Sequence, residues 1–113
     1  MNLTTERANG VAVVRIGESR LMYPLLSEFS SAVTQLIAAG ERRVVVDLSS
    51  VGYVDSATIG CLMDLYRQAS AAGQFECTAG VQKRVETMLT MTGAQNFIEV
   101  HPDEPSAVKS FGA

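Results

Sequence analysis

Asp55-Ser56 places a carboxylate beside a hydroxyl, just after the apolar run Val44-Val45-Val46-Asp47-Leu48 and the loop Ser49-Ser50-Val51-Gly52-Tyr53-Val54. The apolar periodicity that starts at Ile59 puts this pair at the mouth of a helix. Two chemistries fit. An aspartate at an N-cap accepts a hydrogen bond from an orphan backbone N–H, a contact worth about 1 kcal/mol, and Ser56 is then an incidental first-turn residue. Alternatively, the serine hydroxyl is a phosphoacceptor, held in water where the helix dipole and free N–H groups tolerate an anion. A phosphate brings about −1.5 to −2 charges to that point, beside Asp55. A protein packed over it would meet desolvation and like charge, and each loss of about 1.4 kcal/mol weakens affinity tenfold. The residues alone leave both readings open.

Other reactive side chains are sparse. The single histidine, His101, precedes Pro102, and a Ser-His-Asp triad would require it to reach Ser56. Val54 and Thr58 occupy the two positions where a nucleophile elbow carries glycine. Neither of the glycine-rich phosphate loops is present. Cys61, Cys77 and His101 lack ligand spacing, so no metal or cofactor site is expected. Both cysteines have apolar neighbours and read as buried, reduced thiols. Asp47 ends an apolar strand, where an aspartate commonly satisfies loop N–H groups. No catalytic residue emerges, and the chain reads as a binding protein without enzymatic activity.

The elements that position Asp55-Ser56 follow from punctuation and periodicity. Leu3 to Ala8 and Val11 to Ile16 flank Asn9-Gly10, a strong hairpin signal. Gly17 to Tyr23 is expected to be a loop, with Pro24 at the first position of a helix ended by Gly40. Val44 to Leu48 reads as a strand covered on both faces. The next helix carries Ile59, Leu62, Met63, Tyr66 and Ala69 on one stripe and stops at Gly73. Strand 74–79, a helix with Val81, Val85, Met88 and Leu89 stopped by Gly93, strand 96–100 and a short helix over 106–111 complete the order. Strands alternating with helices predict an α/β fold: a mostly parallel central sheet with an N-terminal hairpin at one edge, covered by three to four helices.

The 113 residues suit a single domain, 1–113. Net charge is −3 with basic residues scattered, which argues against nucleic-acid binding. No apolar stretch reaches the roughly 18 residues of a membrane span. The N-terminus lacks a signal layout, so a cytoplasmic location is expected.

The segment 44–51, followed by Asp55-Ser56-Ala57-Thr58-Ile59-Gly60-Cys61-Leu62, resembles the core of the STAS domain, and most of all the bacterial anti-sigma factor antagonists. Their pattern is D-L-S-x-V, then D-S-[ST]-G-[LI]-G. Leu89-Thr90-Met91-Thr92-Gly93 looks like the family's L-x-x-x-G segment. The resemblance implies a STAS fold with Ser56 as phosphoacceptor. It implies a partner-switching protein that binds a serine kinase/anti-sigma factor of the histidine-kinase-like ATPase class when unphosphorylated. A PP2C-type phosphatase would reverse the mark. Asp55, Ala57, Thr58, Ile59, Cys61 and the loop residue Met22 are the expected partner contacts, and the protein is expected to be a monomer or weak dimer. Thr58 stands where the family usually has glycine, which adds a rival hydroxyl and narrows the approach for a partner. Tyr23 also departs from the family's usual loop. The alternative is a non-switching STAS accessory subunit of a lipid or anion transport complex.

Overall fold

In a computed structural model describing residues 2–111, Asn9 and Gly10 take positive φ of 54° and 78° and close a hairpin between β1 (Leu3–Ala8) and β2 (Val11–Ile16). The central sheet adds β4 (Arg43–Asp47), β6 (Phe75–Ala79) and β7 (Val100–His101) in the order β1-β2-β4-β6-β7. Among the described residues, only the β1–β2 pair of this sheet is antiparallel. A separate two-stranded ladder joins β3 (Arg20–Leu21) to β5 (Tyr53–Val54) in parallel.

Strand alternation sorts the core into two layers. Val14, Val44 and Val46 face α1 (Leu26–Ala38), α2 (Ser56–Ala71) and α3 (Lys83–Thr92), meeting Phe29, Val33, Leu62, Leu65, Val85 and Leu89. Val13, Val45 and Cys77 point the other way and pack on Ala107 and Val108 of α4 (Glu104–Ser110). Burial on both faces explains why the middle of β4 is an unbroken valine run. These features place the chain in the α/β class as expected, with four helices.

Four local expectations are corrected. Residues 17–23 are not wholly loop, because β3 lies within them. Pro24 does not open α1. The Tyr23–Pro24 peptide is cis, and Leu25 N–H donates to Met22 C=O at 2.8 Å, so the chain turns here and the helix starts at Leu26. Segment 96–100 is mostly not strand. Asn96 and Phe97 N–H donate back to Gly93 and Ala94 in a 3-10 turn (Ala94–Asn96), and only Val100 and His101 pair with β6. The final helix also begins earlier than expected, where Asp103 accepts from Ser106 N–H at 2.8 Å and caps it.

Gly80, directly after β6, has φ +72°, and a Cβ there would lie 2.9 Å from Ser49 Cβ. Both its conformation and the space available to it require glycine. This close approach lets the loop after β4 cross over the end of β6.

Candidate functional site

The β3–β5 ladder sets the site. Pairing Arg20 with Tyr53 and Leu21 with Val54 brings two loops abreast: Met22-Tyr23, which follows β3, and Asp55-Ser56, which follows β5. Gly52 N–H donates to Ser19 C=O at 2.8 Å and lengthens the union. Leu21 and Val54 are buried beneath, while the Arg20 guanidinium lies 5.8 Å from the centroid of the exposed Tyr53 ring.

Asp55 is extended and caps α2. Its Oδ1 accepts from Thr58 N–H at 2.8 Å and from the Thr58 hydroxyl at 2.7 Å. The hydroxyl of Thr58 pulls the Asp55 carboxyl below the usual aspartate range, against a desolvation cost. The backbone N–H groups of Thr58, Asp55 and Tyr23 add to the effect. Asp55 is therefore a fixed anion at neutral pH, held by the first turn of α2.

Ser56 is the first residue of α2 and is exposed, as is Ala57. The opening N–H groups of any helix have no acceptor inside it, so an anion on Ser56 would meet N–H donors as well as the Asp55 charge. Met22 and Cys61 are half-buried, and Tyr23 projects with 77% of its surface exposed.

Thr58 and Ile59 lie elsewhere than expected. Thr58 has 0% exposure and Ile59 4%, and both face the core with Leu62, Leu65 and Ala69. The first turn of α2 buries positions 58 and 59 because these continue the stripe of 62, 65 and 69 at helical spacing. Neither side chain can touch a partner across this surface, and the Thr58 hydroxyl is closed to a kinase. Thr58 therefore leaves the outer surface as open as glycine would. Tyr23, Tyr53 and Arg20, by contrast, were not anticipated at the site. Only the two-residue ladder brings them there.

A second charged cluster sits where the strands β2 and β4 end. Arg15 grips Glu104 with Nε–Oε2 at 2.5 Å and Nη2–Oε1 at 2.8 Å, and Nη1 lies 3.1 Å from Glu6 Oε1. The Arg15 bonds hold Glu104 down at about 2, helped by a hydrogen bond from Asp47. Burial and Glu104 push Asp47 up, although Ser49 N–H donates to it at 2.8 Å. Arg15 and Glu104 are 89 residues apart in sequence, so no local pattern announces the pair. Among the described residues, no group of His, Cys, Asp and Glu is arranged to hold a metal ion, and no helix is long and apolar enough to cross a membrane.

A family model of the STAS domain matches residues 2–107. The chain belongs to the STAS domain family. Solved structures agree on the fold. An anti-sigma factor antagonist from Mycobacterium paratuberculosis superposes with a TM-score of 0.89 at 17% identity, covering 99% of this chain and 94% of that one. The Bacillus cell fate determinant SpoIIAA in its phosphorylated form gives 0.74 at 13% identity, covering 96% and 98%. The murine anion transporter Solute Carrier 26 family member A9 gives 0.75 at 19% identity, over 91% of this chain and 18% of the transporter. In this STAS domain, Asp55 and Ser56 occupy the junction between the β5 segment and α2, and Met22-Tyr23 stand beside them.

Proposed function

We propose that this STAS domain is a phosphorylation-controlled binding protein of the anti-sigma factor antagonist type, and not a catalyst. Its unphosphorylated form docks on a serine kinase/anti-sigma factor through Ser56, Ala57, Met22, Tyr23 and the exposed rim of Cys61. Phosphorylation of Ser56 releases it, and a PP2C-type phosphatase restores binding. The observation that carries this reading is the placement of Ser56: an exposed hydroxyl on the first residue of α2, next to a carboxylate that is itself immobilised.

The physical effect is electrostatic. Two unit charges about 4 Å apart interact by about 1 kcal/mol in water and by about 4 kcal/mol where the effective dielectric falls to about 20, as between docked proteins. A phosphate beside Asp55 is thus tolerated while the site is wet and costly once a partner excludes water. No backbone movement is needed for release. The test is a pull-down with a serine kinase/anti-sigma factor of the histidine-kinase-like ATPase class. Ser56→Ala is expected to bind and Ser56→Asp to bind at least tenfold more weakly, with phosphopeptide mass spectrometry after ATP addition placing the mark on Ser56. Equal binding of the two variants would refute the switch.

A second reading, a non-switching accessory domain of a transport complex, is supported by the likeness to the anion transporter's domain. Under it, Ser56→Asp binds as the wild type does, and no phosphate appears on Ser56.

A further inference from the structure

Thr58 behaves unlike the threonines of α3. Thr87, Thr90 and Thr92 each donate to the carbonyl four residues back in their own helix, at 2.9 to 3.0 Å. The Thr58 hydroxyl instead leaves its helix. It lies 2.6 Å from the Leu21 carbonyl, 37 residues away in sequence, and 2.7 Å from Asp55 Oδ1. One hydrogen serves two acceptors, one on the last residue of β3 and one on the residue that follows β5. Thr58 is 0% exposed, so water cannot replace the contact if it is lost. What it reinforces is slight: β3 and β5 are two residues each, and a two-stranded ladder is at best marginal by itself in water.

We propose that Thr58 is a positioning residue. Its buried hydroxyl clasps the segment leading to Met22-Tyr23 onto the start of α2, so that Tyr23 and Ser56 are offered to a partner as one rigid surface. The idea rests on the docking role proposed above, but the clasp itself is measurable without any partner. A glycine at this position could not make it.

The test uses the whole chain, with Thr58→Val, which keeps the shape and loses the hydroxyl, and Thr58→Ser, which keeps the hydroxyl. Two readouts are followed by NMR: titration of the Asp55 side-chain carboxyl and hydrogen exchange at the Tyr23 amide. Thr58→Val is expected to move the Asp55 titration upward, toward that of an ordinary aspartate, and to speed Tyr23 exchange at least tenfold. Thr58→Ser is expected to restore both. In the wild-type chain, the Thr58 hydroxyl proton is expected to exchange slowly enough to be observed, with a cross-peak to the Leu21–Met22 segment. That measurement decides the matter even if Thr58→Val does not fold. A Thr58→Val protein with wild-type titration and exchange, or a wild-type hydroxyl proton in fast exchange with water, would overturn the clasp. Failure of the docking role would show differently, as equal kinase binding by Ser56→Ala and Ser56→Asp with both NMR readouts behaving as expected.

Discussion

Asp55 caps α2 and shares the Thr58 hydroxyl with the Leu21 carbonyl, and its charge state reports on that role. Asp55→Ala removes an N-cap and is expected to cost about 1 kcal/mol, read as a lower urea midpoint with an unchanged slope. Asp55→Asn keeps an oxygen for Thr58 N–H and lacks the titration. The folded Asp55 pKa is lowered, so its contribution is complete above the unfolded value, near pH 4, and is lost as pH falls through the folded value. Wild type is therefore expected to lose stability relative to Asp55→Asn as pH drops below about 4, in urea titrations of both proteins across that range. Asp55 and Ser56 were legible in the sequence because a cap and a first-turn residue are local facts. Thr58 and Ile59 were misassigned although the signal was present. The spacing that puts Ile59 on one stripe with Leu62 turns it, and its neighbour Thr58, away from solvent.

Helices and strands were legible in proportion to their length. Asn9-Gly10 fixed the hairpin, and Gly40, Gly73 and Gly93 marked helix ends, because turn chemistry is written in single residues. The β3–β5 ladder escaped notice because two-residue strands are too short to show alternation. Segment 96–100 imitated a strand, since Phe97, Ile98 and Val100 are apolar, yet only Ile98 is buried in the core. The attachment of α4 depends on a pair that sequence could not reveal, Arg15 with Glu104. Glu104→Gln removes the charge from this half-buried bidentate contact, and a loss of about 1 kcal/mol is expected at pH 7 after allowing for solvent screening. Because the folded Glu104 pKa is lowered to about 2, that stabilisation is present above the unfolded value of 4.5 and vanishes as pH falls through about 2. The gap between variant and wild type in chemical denaturation should close over the same interval. Asp47 has the opposite sign. Its folded pKa is raised, so ionisation opposes folding above that value, and Asp47→Asn is expected to raise the urea midpoint at pH 7.

Across the whole molecule, one face of the sheet carries three helices and the other carries α4, and the site lies where the larger layer meets two loops. Leu62, buried at 0% exposure on α2, joins that layer to the helix bearing Ser56. Leu62→Ala is expected to lower stability by about 2 to 5 kcal/mol in equilibrium unfolding, with no new contact to compensate for the cavity. Ser56→Asp, on the exposed end of the same helix, is expected to unfold within about 0.5 kcal/mol of wild type. A charge added at position 56 is thus expected to leave the fold intact.

The outermost strand of the sheet carries a further consequence. Thr4, Thr5, Glu6 and Arg7 on β1 are exposed, and the opposite border, β7, offers only Val100 and His101. A rim that is polar and charged on one side and cut short on the other gives a neighbouring polypeptide little template for growth. Crowding should therefore leave such molecules dispersed, without seeding fibrils.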